Sequence, residues 1–267
     1  MSSYLKSNKN ITGVQLELHR VSMDFAATPV LSSLSFRLRA GEFVSIIGPS
    51  GCGKSTLLHL IAGLIAPTDG SIVLSGTSGQ LAGKCGYMPQ SSTLFPWRTV
   101  LQNITLGPEI QGWPRQMMIK KSLRLLREFD LLKYADSYPS SLSGGMQQKV
   151  ALLRTILFNT SFLLLDEPFG SLDGLTRFSL QLWLMRLRTR YKSTVLLVTH
   201  DISEAILLSD RILIMSDRPA RIVADISVGY SGKRDRKWLR TKKALLLEEE
   251  IASYFFRSQE GETHEDR

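Results

Sequence analysis

The residues with the clearest chemical purpose are Gly48, Pro49, Ser50, Gly51, Cys52, Gly53, Lys54 and Ser55, followed by Thr56. They satisfy the pattern G-x-x-x-x-G-K-[ST] in full. A β-prone run at 43–47 precedes them, and an apolar-periodic stretch predicts a helix over 54–65, ended by Pro67. Glycines let the backbone curl until successive N–H groups face one centre, and the helix N-terminus adds the positive end of its dipole. That chemistry suits a polyphosphate. Lys54 can reach its outer phosphates, and the Ser55 hydroxyl can ligate Mg²⁺. The competing reading is a glycine-rich turn without a ligand, and the strand-turn-helix context argues against it.

A phosphate loop of this kind needs an acid for its metal. Residues 162–165, Phe-Leu-Leu-Leu, predict a buried strand that delivers Asp166 and Glu167 at its carboxyl end, where ligands of open α/β sheets collect. Asp166 is expected to hold Mg²⁺ through its water shell, and Glu167 to polarise an attacking water. An apolar run ending in Asp-Glu is common by itself and gains weight only from the phosphate loop. A second turn, Leu142-Ser143-Gly144-Gly145-Met146, precedes a predicted helix. It reads as a helix cap or as a second N-terminal anion site.

In this setting the chain resembles the ABC-type ATPases. Leu142-Ser143-Gly144-Gly145-Met146-Gln147 is similar to the family's LSGGQ signature and lies 23 residues before Asp166, counted from Ser143. Gln90, in Tyr87-Met88-Pro89-Gln90, is similar to its Q-loop. Ser171-Leu172-Asp173 resembles its D-loop, and Val198-Thr199-His200-Asp201 its switch histidine. The motifs stand in the family's order, over about 14–227.

The resemblance implies ATP as ligand, Mg²⁺ held by Ser55, Gln90 and Asp166, and Glu167, His200 and Gln90 as catalytic groups. It implies head-to-tail dimerisation, in which the P-loop of one subunit and the signature of the other enclose one ATP. The family places an adenine-stacking aromatic where this chain has Phe25, more often as Tyr; a core Phe is the competing reading. His19 reads as exposed, His59 as packed, and His264 as part of the tail.

The elements that must position these groups are legible in outline. Residues 14–20 and 34–38 alternate as half-exposed antiparallel strands, whereas 43–47, 162–165 and 195–198 are short apolar strands of a parallel sheet. Predicted helices lie at 115–131, 146–157 and 175–191. Strands alternating with helices give an α/β core, and the resemblance implies a P-loop NTPase, RecA-like core with an antiparallel β subdomain and an inserted α-helical subdomain. The expected divisions are an ATPase domain over 14–227 (helical insert about 96–157), a helical extension over 228–257, and a disordered tail over 258–267.

Composition narrows the task. The chain has 267 residues, 43% of them hydrophobic, enough for a sizeable core. Two cysteines are too few for a disulfide framework and read as reduced thiols. The polar first ten residues do not look like a secretory signal, and the longest apolar stretch, 57–66, is far short of a membrane span. Net charge is +9, with seven basic and one acidic side chain over 233–243 and two basic and seven acidic over 244–267. Such a charge suits an anionic partner: nucleic acid, an acidic lipid surface or a polyphosphate.

Within the family, the short P-loop-to-signature interval lacks the sustained heptads of the DNA-maintenance members, and there is one cassette rather than two. The resemblance therefore implies the ATPase subunit of a bacterial importer. It would sit on the cytoplasmic face of the inner membrane, with a second ATPase subunit, a separate permease and, indirectly, a periplasmic substrate-binding protein. The segments Leu94-Phe95-Pro96-Trp97-Arg98-Thr99-Val100 and Ser216-Asp217-Arg218-Pro219-Ala220-Arg221-Ile222 resemble the nitrate/sulfonate/taurine group, which implies a small organic or inorganic anion as cargo. Related cassettes serve thiamine precursors. Phe95 and Trp97 read either as permease contacts or as core. Gln147 stands where a basic residue is usual, and Ser171 where Ala is common. The alternatives are a soluble ABC-type ATPase acting on nucleic acid and a non-catalytic nucleotide-gated adaptor; intact Lys54, Asp166, Glu167 and His200 oppose the latter.

Overall fold

The computed structural model describes residues 14–75, 81–158, 162–170, 172–229 and 234–262. The polar first ten residues, Ser171 and His264 lie outside that set. A three-stranded antiparallel sheet holds β1 (Val14–Phe25), β2 (Thr28–Arg39) and β4 (Asp69–Leu74) in the order β2-β1-β4. A six-stranded sheet holds β3 (Phe43–Ile47), β5 (Gly86–Met88), β6 (Phe162–Asp166), β7 (Thr194–Val198), β8 (Arg211–Met215) and β9 (Ile222–Ser227). Its order is β5-β6-β7-β3-β8-β9, parallel except for the antiparallel edge strand β9.

The continuous apolar runs of the central strands have a two-sided cause. Val44 and Ile46 of β3, Phe162 and Leu164 of β6, and Leu196 and Val198 of β7 face a core shared with the antiparallel sheet and α1 (Lys54–Ile61). Their alternate neighbours Phe43, Leu163, Leu165, Val195 and Leu197 face a second core, built with α4 (Gly144–Leu157) and α5 (Gly174–Tyr191). Each strand thus feeds two cores with period two, and no polar face remains. In β2, by contrast, Ser33 at φ 52 shifts the register, so that Leu31 and Leu34, three apart, are both buried.

Between β5 and β6 lie α2 (Val100–Ile110), α3 (Arg115–Glu128) and α4. Thr99 caps α2 reciprocally with Gln102, a capping box. After β7 come α6 (Ile202–Leu208) and, beyond β9, α7 (Lys242–Glu262). Trp238, Ala244, Leu247 and Ile251 pack this C-terminal segment against Ala205, Ile206, Ile212 and Ile214.

Several boundaries differ from expectation: β1 runs on to Phe25, β2 spans Thr28–Arg39, and α3 ends at Glu128 rather than 131. Helix α1 stops at Ile61, not near 65, because Gly63 at φ 72 closes a Schellman motif: Gly63 N–H donates to Leu60 O and Leu64 N–H to His59 O. The segment 258–262 belongs to α7 rather than to a disordered tail, since polarity alone does not end a helix; 263–267 lie outside the described residues. No helix among the described residues is long and apolar enough to cross a membrane.

Candidate active site

Four neighbouring parallel strands, β5-β6-β7-β3, deliver their carboxyl ends to one edge of the sheet. Gln90 follows β5, Asp166 and Glu167 close β6, His200 follows β7, and the Gly48–Gly53 loop follows β3. Sequence-distant groups are thus gathered by strand order.

The loop ends on Gly53, the N-cap of α1, at φ 121. A Cβ there would lie 2.8 Å from Leu31 Cδ2 and 2.9 Å from Val30 Cγ1, so both backbone conformation and space demand glycine. Lys54 is buried and folds back over the loop, its Nζ donating to Gly48 O at 2.9 Å and to Pro49 O at 2.7 Å. Ser50 and Gly51 are exposed at the loop tip. Cys52 is buried against Lys54, and burial pushes its thiol up; Cys85 is buried too, its thiol pushed up to about 11, and both cysteines are free. Ser55 and Thr56, half-buried, open the helix. Arg218 braces the loop from outside, its Nε donating to Gly51 O at 2.6 Å. Nothing in the motif spacing announces that brace.

Asp166 is 2% exposed. Burial pushes its carboxyl up, hydrogen bonding from Ser55 draws it down, and the Glu167 charge raises it again; His59 and Lys54 act downward. Glu167 adopts φ 46, a left-handed conformation costly for a side chain of this kind, and its N–H donates to Val198 O at 2.9 Å. Gln90 Nε2 donates to Glu167 Oε2 at 3.2 Å, and His200 Nδ1 lies 3.3 Å from Glu167 Oε1. Gln148, which follows the signature turn, donates to the Glu167 carbonyl at 3.4 Å.

Ser143 caps α4, its Oγ accepting from Met146 N–H at 3.3 Å; Leu142 is buried, while Ser143 and Gly144 are exposed and Gly145 half-exposed. The turn is a helix cap, and its glycines still open onto solvent. Gln147 occupies the place of the usual basic residue. Its amide donates to Pro139 O and Leu142 O and its oxygen accepts from Ser92 Oγ. Asp173 accepts from Leu175 and Thr176 N–H at the start of α5, and Thr176 holds its carboxyl below the usual range. Phe25 is 47% exposed at the tip of the β1–β2 hairpin, which excludes the core reading. His19 is exposed beside Glu17, and His59 is half-buried against Tyr87.

These residues fit a Mg²⁺-nucleotide. Asp166 and Ser55 offer adjacent oxygen donors, few enough to suit a small cation that keeps waters and substrate phosphates as its other ligands. The N–H groups of the loop and of α1 provide the anion side.

Comparison with known proteins identifies the family. The family model described as ABC transporter matches residues 31–170. The aliphatic sulfonates import ATP-binding protein SsuB 2 of Agrobacterium fabrum is 40% identical over 263 residues, 97% of this chain and 96% of that protein. The formylaminopyrimidine import ATP-binding protein ThiZ of Halalkalibacterium halodurans is 42% identical over 80% of this chain and 84% of its own length. Among solved structures, the ATP-binding cassette MJ0796, dimeric in a post-hydrolysis state with ADP and Pi, superposes with a TM-score of 0.73 at 29% identity, covering 80% of this chain and 99% of that one. With the phosphate loop, the paired acids and the signature in place, the chain belongs to the ABC transporter family, as an ATP-hydrolysing cassette.

Proposed function

We propose that this cassette is the ATPase subunit of an importer that takes up a small anion of the sulfonate, nitrate or taurine type, with Glu167 as its catalytic base. The observation that carries the catalytic assignment is the seating of the Glu167 carboxylate between Gln90 and His200, one residue past buried Asp166. Glu167 accepts a proton from the attacking water, His200 and Gln90 orient that water and the terminal phosphate, and Lys54 leaves its loop carbonyls for the phosphates. Ser55, Asp166 and Gln90 would hold Mg²⁺, which when bound would supply charge neutralisation. Phe25, exposed at its hairpin tip, stacks on the adenine.

Two copies, head to tail, complete each ATP site with the exposed Ser143-Gly144-Gly145 turn and the Asp173 turn. A separate permease docks near Trp97, which is 70% exposed, and a periplasmic binding protein supplies cargo to it. The cassette works peripherally at the cytoplasmic face of the cell membrane. Its ATPase domain spans 14–227, with a helical insert at about 96–157 and a C-terminal helical extension that starts at 228 and continues through α7. Supporting the importer reading are the resemblance of the 94–100 and 216–222 segments and the relatives named for import.

Glu167→Gln is the direct test. ATP binding persists, turnover falls at least about 100-fold, and ATP drives a dimer that persists on a sizing column. Undiminished hydrolysis in that variant removes Glu167 from the chemistry.

A further inference from the structure

Glu204 is 6% exposed on α6, one turn past the switch histidine. Its two oxygens serve different elements. Oε2 accepts from Thr199 Oγ1 at 2.7 Å, and Oε1 accepts from Gln181 Nε2 of α5 at 3.0 Å. Thr199 Oγ1 accepts in turn from Asp201 N–H at 3.1 Å, and Asp201 Oδ1 accepts from Glu204 N–H at 3.0 Å. The residues on both sides of His200 are therefore tied to one buried carboxylate. The His200 side chain is 67% exposed, so packing does not hold its ring in place. The backbone of 199–201 sets where the ring points.

A buried carboxylate is an expensive way to fill space, and an apolar side chain would cost less. Charge-assisted hydrogen bonds are shorter and stiffer than neutral ones, which is useful where a loop must hold one geometry. Compensation comes from Arg177, whose guanidinium lies 3.9 Å from Glu204 and 3.8 Å from Asp201 while donating to Leu172 O at 3.3 Å. At those lengths it supplies charge without fixing direction, and its Nε has no hydrogen-bond partner. A cavity of ≈ 160 Å³ opens at this junction, lined by Arg177, Gln181, Asp201 and Glu204 among others.

We propose that Glu204 is a positioning residue for the switch histidine. By accepting the Thr199 hydroxyl it fixes the 199–201 backbone, and so fixes how His200 meets Glu167. The inference rests on the reading of His200 as a participant in hydrolysis, and the test separates the two.

ATP turnover and ADP affinity are measured for Glu204→Ala, Glu204→Gln, Thr199→Val, His200→Ala and the Glu204→Ala/His200→Ala pair, with thermal melts as folding controls. Glu204→Ala lowers kcat about tenfold or more and leaves ADP affinity unchanged, because the phosphate loop is untouched. Thr199→Val reproduces the kcat loss with a smaller change in the core. Glu204→Gln, which keeps one acceptor for Thr199 but loses the charge and the acceptor for Gln181, recovers part of the rate. In the His200→Ala background the Glu204→Ala change costs nothing further, as expected when one residue acts through the other. Losses that multiply in the double variant, or a Glu204→Gln as slow as Glu204→Ala, overturn the positioning role. A His200→Ala enzyme with full turnover overturns the reading of His200 instead.

Discussion

Asp166 sits in conflict with its own packing. The proposed Mg²⁺ role needs its carboxylate ionised, yet burial and the neighbouring Glu167 favour the protonated form. A carboxyl whose folded-state pKa lies above its unfolded one binds protons more readily when folded. The penalty is absent below the unfolded pKa and appears as pH rises through the folded pKa. Asp166→Asn keeps an acceptor for Ser55 and removes the charge, so the nucleotide-free protein should melt higher at neutral pH. A rise of about 2–4 °C corresponds to a gain on the order of 1 kcal/mol for a domain of this size. Hydrolysis should be lost in the same variant. Calorimetry at pH 7 and pH 4 checks the sign: the gain over wild type should shrink at the lower pH. A variant less stable than wild type at both values contradicts the electrostatic account.

At the scale of elements, the segment after Gln90 is fastened to the signature helix. Arg154 of α4 donates to Thr93 O at 3.0 Å, to Ser92 O at 3.3 Å and to Thr93 Oγ1, and its guanidinium lies 5.9 Å from the Phe95 ring. Phe95 packs against Trp97, which projects into solvent. Trp97 is thus linked through the Phe95 ring to Arg154 of α4, the helix that Ser143 caps. Trp97→Ala should leave basal ATPase within about twofold, since an exposed side chain contributes little to the fold. It should sharply lower permease-stimulated ATPase and transport in reconstituted complexes; equal losses in basal and stimulated rates would remove the contact role.

The same scale explains what the sequence disclosed. The apolar strands and the start of α1 were legible because burial pattern and the Gly-Lys-Ser pattern are local. The end of α1 at Gly63 is written locally too, as a glycine after the last periodic residue, and ends the helix before Pro67 can. The brace from Arg218 to Gly51 and the tie from Glu204 to Thr199 carry no spacing signal that shows what they hold. Their meaning appears only when β8, α6 and the phosphate loop come together.

The whole molecule carries a net charge of +9, unevenly engaged. In the basic stretch 233–243, Arg234 donates to Ser209 O and lies 3.9 Å from Asp210, Arg236 covers the Phe178 ring, and Lys243, in the first turn of α7, donates to Gly229 O. Much of that cluster holds the C-terminal segment in place. Helix α3 is different. Arg115, Lys120, Arg124 and Arg127 are exposed, and among the described residues none of them forms an ion pair. Lys121 lies over Trp113, 4.3 Å from the ring centroid, and Ile110 nearby is exposed. Unpaired cations beside exposed apolar side chains suit an anionic lipid surface better than a duplex, where apolar groups gain nothing from phosphates. Each Lys or Arg near such a surface contributes about 1 kcal/mol, and the attraction fades within a Debye length, ~10 Å at 0.1 M salt and ~3 Å at 1 M. The purified cassette should therefore float with vesicles rich in phosphatidylglycerol at 0.1 M salt and release them at 1 M. Lys120→Glu with Arg124→Glu should weaken that binding at least about tenfold, with ATPase activity unchanged. Binding that ignores salt, or that survives the double reversal, would place the attraction elsewhere on the molecule, and tighter salt-sensitive binding to DNA than to the vesicles would favour nucleic acid as the partner.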